Sequence, residues 1–146
     1  MEIATQRFGH IEVDGADLFV FPAGLIGLER LKRWALLSEP GLGSAAWMQS
    51  VESPEVALAV INPQFYWPQC RLHVARQELA VLGLSDLRQI EVLAIVTRHE
   101  RGLTANLKAP LVFDLRNRLG CQVICNGEEP LRMPLDIAPP AVRRSA

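Results

Sequence analysis

A chain of 146 residues and 16.2 kDa has room for one domain with a hydrophobic core and little more. Its 49% hydrophobic and 21% charged residues, with 10 Pro, 10 Gly and a mean hydropathy of +0.14, exclude a disordered or collagen-like polymer. Its net charge of −1 supplies no overall attraction to phosphate or anionic lipid, although residues 1–91 hold 7 Lys/Arg against 11 Asp/Glu and residues 92–146 hold 8 against 5, which allows an acidic face and a basic one.

Along the chain, Glu2 precedes any apolar stretch and no basic segment leads into one, so no signal peptide is expected and the protein is expected in the cytoplasm. The longest apolar runs, residues 56–61 and 92–96, fall far below the roughly 18 residues that cross a bilayer, so no membrane span is expected. Short runs of β-branched and aromatic residues punctuated by Gly, Pro, Asn and Asp predict a mainly β fold. Residues 10–13 and 18–21 flank Asp14-Gly15, which predicts an opening hairpin. Further strands are expected at 33–37, 46–51, 57–61, 71–74, 90–97, 110–115 and 121–125, a spacing that suits a small antiparallel β-barrel-like single domain. In the run from Ile90, the residues Ile90, Val92, Ala94 and Val96 share one face and Leu93 and Ile95 the other, so this strand should be covered on both sides. Ala75, Leu79 and Leu82 recur at helical spacing and predict one short helix over 75–82. Residues 1–137 make the predicted domain, and APPAVRRSA at 138–146 reads as a flexible tail.

Four patterns suggest chemistry. Gly41-Leu42-Gly43-Ser44-Ala45-Ala46 fits G-x-G-x-x-A, but no βαβ unit surrounds it and Pro54 follows within two turns, so a Gly-rich turn is expected and no cofactor. Cys70 and His73 form C-x-x-H, and Cys121 and Cys125 lie four apart, about 13 Å on a strand, too far to share one ion; no metal is expected. A thiol enzyme built on one of these cysteines with His10, His73 or His99 has no strand-to-helix turn to present it. Arg98, His99, Arg101, Lys108, Arg116 and Arg118, with Tyr66 and Trp67, would suit an OB-like RNA-binding barrel, against the plainer reading of a solvated basic face.

Thr104-Ala105-Asn106-Leu107-Lys108-Ala109-Pro110 is different in kind. Thr and Asn, which satisfy backbone groups locally, stand directly before an apolar strand entered through Pro110. Asn106 either holds a bend or presents a binding group. Together with Gly24-Leu25-Ile26-Gly27-Leu28-Glu29, Gln49-Ser50 followed by Pro54, Val60-Ile61-Asn62-Pro63, Ile95-Val96-Thr97, Gln122 and Pro130-Leu131-Arg132-Met133-Pro134-Leu135, this string resembles the FliW family of flagellar assembly factors over residues 3 to 137. Ile26 and Leu28 stand where the family usually has Pro and Phe, Asp114 where it often has Asn, and Leu131 where an aromatic is common. The resemblance implies a β-barrel-like, non-catalytic cytoplasmic protein, expected to act as a monomer. It also implies two partners, the RNA-binding translational regulator CsrA, which represses flagellin synthesis, and flagellin itself, with no direct contact to nucleic acid. Within it Gln49, Asn62, Thr104, Asn106 and Leu107 are the expected contact residues, because core packing alone does not explain their types.

Overall fold

The computed structural model describes residues 1–38, 45–72 and 89–135. The strands run in chain order as β1 (Glu2–Thr5), β2 (Gly9–Glu12), β3 (Leu18–Val20), β4 (Arg33–Ser38), β5 (Ala46–Ser50), β6 (Ala57–Ile61), β7 (Ile90–His99), β8 (Gly102–Ala105), β9 (Leu111–Asp114), β10 (Leu119–Gln122) and β11 (Met133–Leu135). One four-residue helix, α1 (Pro63–Tyr66), follows β6. The predicted helix over 75–82, the second half of the predicted strand over 71–74, the first four residues of the Gly-rich turn and the tail all lie outside the described residues; Arg71 and Leu72, the first half of that strand, are not in a strand.

Sheet neighbours run β7-β6-β5-β4-β3-β10-β9, and β9 returns to pair with β7, so seven strands close into a barrel. Among the described residues every pairing is antiparallel except β3 with β10, which meet in parallel through Val20 and Leu119. β7 makes the closure possible by changing partner along its length. Its first half, Ile90 to Leu93, pairs with β9, and its second half, Val96 to His99, leaves the barrel wall to pair with β8, which carries β11 on its far edge.

Alternation of side chains follows from this geometry. Leu93 and Ile95 point into the barrel with Phe19, Phe21, Trp34, Met48, Val60, Leu111 and Phe113. Ala94 and Val96 point outward into a satellite core with Ile61, Ala105, Leu107 and Leu135, while Ile90 and Val92 join Val112, Cys121 and Val123. Both faces of β7 are therefore covered, as its two-sided apolar pattern requires. Phe113 stands edge-on to Phe19 and Phe21 at 5.0 and 5.5 Å between centroids, the arrangement favoured by the ring quadrupole. Opposite Phe113 sits Gly120, where a Cβ would stand 2.3 Å from the Phe21 ring, so glycine is what gives that ring its space.

The expected hairpin at Asp14-Gly15 is corrected. A two-residue turn of that type needs positive φ, but Asp14 is extended (φ −72°, ψ 143°) and Gly15–Asp17 form a single 3-10 turn. β2 instead pairs backwards with β1, and β3 crosses to β4 and β10. The real opening hairpin turns at Gly9 (φ +72°), and its loop is closed by Thr5, whose Oγ1 donates to the Gly9 carbonyl and accepts the Phe8 amide, both at 2.8 Å. The last expected strand also shifts: β10 occupies Leu119–Gln122, and Cys125 lies beyond it with its amide on the Lys108 carbonyl.

Candidate partner-binding site

The Thr104 to Pro110 string sits where the chain passes from β8 to β9, at the point where β7 changes partner. Thr104 is in β8, between Thr97 of β7 and Pro134 of β11. The Asn106 amide makes a last ladder bond to the Ile95 carbonyl at 2.9 Å. Its side-chain Oδ1 then accepts the amides of Lys108 and Ala109, both at 3.0 Å, which bends the backbone out of one ladder and into the next. Leu107 turns inward, 5% exposed, into the satellite core, and its amide binds the Pro130 carbonyl. Asn106 thus holds the bend, and the same geometry leaves its side chain and that of Thr104 half-exposed.

Gln122 joins this turn to a second motif. Its Nε2 donates to the Ala109 carbonyl at 3.0 Å, and its Oε1 accepts the Ile26 amide at 2.8 Å. The Gly24 to Glu29 loop is therefore tied to the Asn106 turn by one side chain. That loop needs its first glycine: Gly24 has φ +68°, and a Cβ there would meet the Glu29 backbone at 2.6 Å. Glu29 accepts the Gly27 amide, and this hydrogen bond holds its carboxyl below the ordinary value. Ile26, at the tip, is 60% exposed.

Asn62 lies across the satellite core. It caps α1, accepting the Gln64 amide at 3.0 Å, and its neighbour Ile61 packs with Ala105 and Leu107. Beside it opens a groove of about 510 Å³ whose floor includes Val92 and Val112, partners across β7 and β9. On α1, Phe65 is 72% exposed. Ile61 and Leu107 meet in that small core, which sets Asn62 and Asn106 beside them in the chain, whereas Thr104 alternates with Leu103 and Ala105 and so points from the opposite face of β8.

Gln49 is apart from them. It pairs with the start of β6, and Asn62 follows the end of that strand, roughly 16 Å away at 3.3 Å per residue. Fully buried, it points Nε2 at the carbonyls of Ser50, Pro54 and Val56 and so folds the β5–β6 turn, while its Oε1 accepts no hydrogen bond among the described residues.

The residues of the enzymatic alternatives are scattered. Cys121 is in β10, Cys125 follows it, and Cys70 lies after α1, where burial pushes its thiol up and lowers the thiolate fraction. Among the described residues no three His, Cys, Asp or Glu side chains converge on one metal position; His73 lies outside them. The basic residues divide as well. Arg98 and His99 are at the end of β7, Lys108 is spent on the Gly127 carbonyl, and Arg116 and Arg118 stand on the β9–β10 turn. Among the described residues no helix is long and apolar enough to cross a membrane.

Sequence patterns had pointed to the Thr104 to Pro110 turn and to Asn62. They missed Gln122 as a strut, because its two contacts are 96 and 13 residues away and leave no local signal, and they missed Phe65, which in a run of aromatic residues looks like core.

Comparison with known proteins bears on the family and the fold. The family model described as "FliW protein" matches residues 2–135. "Flagellar assembly factor FliW 2" of Desulfotalea psychrophila is 33% identical over 129 residues, covering 88% of this chain and 85% of its own. "Flagellar assembly factor FliW" of Magnetococcus marinus is 33% identical over 138 residues, 92% and 85% of the two chains. A crystal structure titled as that of the flagellar assembly factor FliW superposes with a TM-score of 0.82 at 29% identity, covering 94% of this chain and all of the other. A closed seven-stranded barrel, the turn built on Asn106 and a match over nearly the whole length leave one assignment: this chain belongs to the FliW family of flagellar assembly factors.

Proposed function

We propose that the protein is a non-catalytic assembly factor of the cytoplasm that binds the translational regulator CsrA, relieving its repression of flagellin synthesis, and binds flagellin as the competing partner. The observation that carries this reading is the match to FliW proteins across residues 2–135, with the Thr104 to Pro110 turn intact within it. The surface described above supports a protein-binding role: Asn62 caps α1 beside an open groove, Phe65 is exposed on the same helix, and Thr104 and Asn106 are half-exposed in and just after β8. An exposed aromatic next to a groove is the kind of anchor that interfaces use. Gln49 and Leu107 are buried, so in this reading they serve a partner through the turns they support.

A pull-down from the native cytoplasm with the full chain as bait, scored for CsrA and flagellin, tests the reading. Both are expected, and recovery of neither rejects it. In a gel-shift titration the protein alone should leave leader RNA unshifted at physiological salt, consistent with its net charge of −1, and should release RNA from CsrA. Direct retention of the RNA would favour an OB-like RNA-binding barrel instead.

A further inference from the structure

The β9–β10 hairpin has two ends. One is the Asn106 turn; the other, four strand residues away, is the turn from Leu115 to Arg118, which none of the function proposed above uses. This second turn is rigid. Asp114, 2% exposed, accepts the amides of Arg116 and Asn117 on Oδ1 at 3.1 and 3.2 Å and the Asn117 side-chain amide on Oδ2 at 2.9 Å. Arg118 has φ +52°, the only positive φ of a non-glycine residue among those described, a conformation that costs free energy and that Gly or Asn would adopt more readily. An arginine kept there projects its guanidinium from a fixed backbone.

Next to this turn, β3 alternates strictly. Phe19 and Phe21 point inward and Val20 points out, 42% exposed. Arg33 is the cross-strand partner of Val20 and shares its outer face, and the Val20 amide binds the Arg118 carbonyl at 3.0 Å. Leu115, 40% exposed, begins the turn with its amide on the Gln89 carbonyl. Arg33 and Arg118 therefore flank the exposed Val20, and the exposed Arg116 and Leu115 stand on the same turn as Arg118. None of the three forms an ion pair among the described residues. Two carboxylates lie nearby without forming an ion pair: Asp114 accepts the turn amides of Arg116 and Asn117, and Glu52 accepts the amides of Lys32 and Arg33, so together they offset part of the three positive charges and leave the patch basic.

We propose that this patch is a docking surface for an acidic protein segment, one in which carboxylates flank aliphatic residues. Charge complementarity selects carboxylates for the unpaired guanidiniums, and Val20 and Leu115 select aliphatic side chains between them. A nucleic acid fits less well, because among the described residues no exposed aromatic ring stands here to stack a base; Phe19, Phe21 and Phe113 are all turned into the core. The rigid turn lowers the ordering cost of binding. This surface is separate from the Asn106 turn and does not rest on the CsrA and flagellin reading.

Fluorescence anisotropy of the full chain with labelled peptides tests it without either of those partners. The probes are a peptide of glutamates flanking two leucines, its glutamine and its serine counterparts, and an oligouridylate of equal length. The glutamate–leucine peptide should bind about tenfold or more tighter than each of the other probes, and more weakly as salt rises. Arg118→Gly removes the guanidinium and relieves the backbone, so it should weaken binding about 3- to 10-fold with a Tm no lower than that of the parent. R116E together with R118G should weaken it further. Equal binding of the glutamine peptide, preference for the oligouridylate, affinity unchanged in both variants, or a loss of binding that comes with a lowered Tm in R118G would each overturn the proposal.

Discussion

Asn106 holds a local turn, whereas Gln122 holds together segments that meet only on folding. Asn106→Ala leaves two turn amides without their acceptor and should cost about 1 to 2 kcal/mol in urea denaturation. Gly120→Ala drives a methyl group into the Phe21 ring, so a loss of about 1 to 3 kcal/mol is expected, with folding retained only if that ring shifts. Glu52 gives a pH signature. Its hydrogen bond to the Arg33 amide holds its carboxyl below the ordinary value of 4.5 in the folded protein. A lowered folded value means that the carboxylate stabilises the fold above the unfolded value and that this contribution fades as pH falls from about 4.5 through the lower folded value. Glu52→Gln should therefore flatten the loss of stability below pH 4.5 seen in thermal melts, and an unchanged slope would contradict this. At this scale the sequence showed that Asn106 was special, since an Asn before a Pro-led strand has a local reason to bend the chain. Gln122 carries no such local reason, because its partners are set by the barrel.

Among the elements, the central strands were legible and the borders were not. The pattern of β7 required cover on both faces, and the barrel interior, the satellite core and the Val112 cluster supply it. β1, β8 and β11 were missed, since they have three or four residues each and β11 contains Pro134, a residue that argues against a strand unless it lies at an edge, where it is found. Asp14-Gly15 misled for a physical reason: the dipeptide is competent for a tight turn, but β2 is already paired to β1, and the chain has to move on to a different sheet. The two hairpin candidates differ in a measurable way. Gly15→Ala, with no positive φ to maintain and open space around its Cα, should change stability little, whereas Gly9→Ala at φ +72° should cost about 1 kcal/mol. Equal effects would contradict the observed turn.

The molecule as a whole is a barrel closed by one strand that pairs with β6 on one edge and with β9 and then β8 on the other, carrying a satellite core and a turn tied to a loop by Gln122. Its cysteines contribute packing. Replacing Cys70, Cys121 and Cys125 together by Ser or Ala should leave partner binding intact at a cost of about 1 to 3 kcal/mol where they are buried, whereas a stable triple variant that no longer binds would revive a thiol or metal role. The central claim is that one small β domain answers to two partners that oppose each other. Under the proposed function such opposition is a negative coupling free energy, and it is reciprocal: flagellin would weaken CsrA binding by the factor by which CsrA would weaken flagellin binding. Isothermal titration of CsrA into the protein, alone and saturated with flagellin, measures it directly. The account predicts a dissociation constant raised about 5- to 150-fold by flagellin, the range of a typical coupling, and an unchanged dissociation constant would contradict it even if both partners bind.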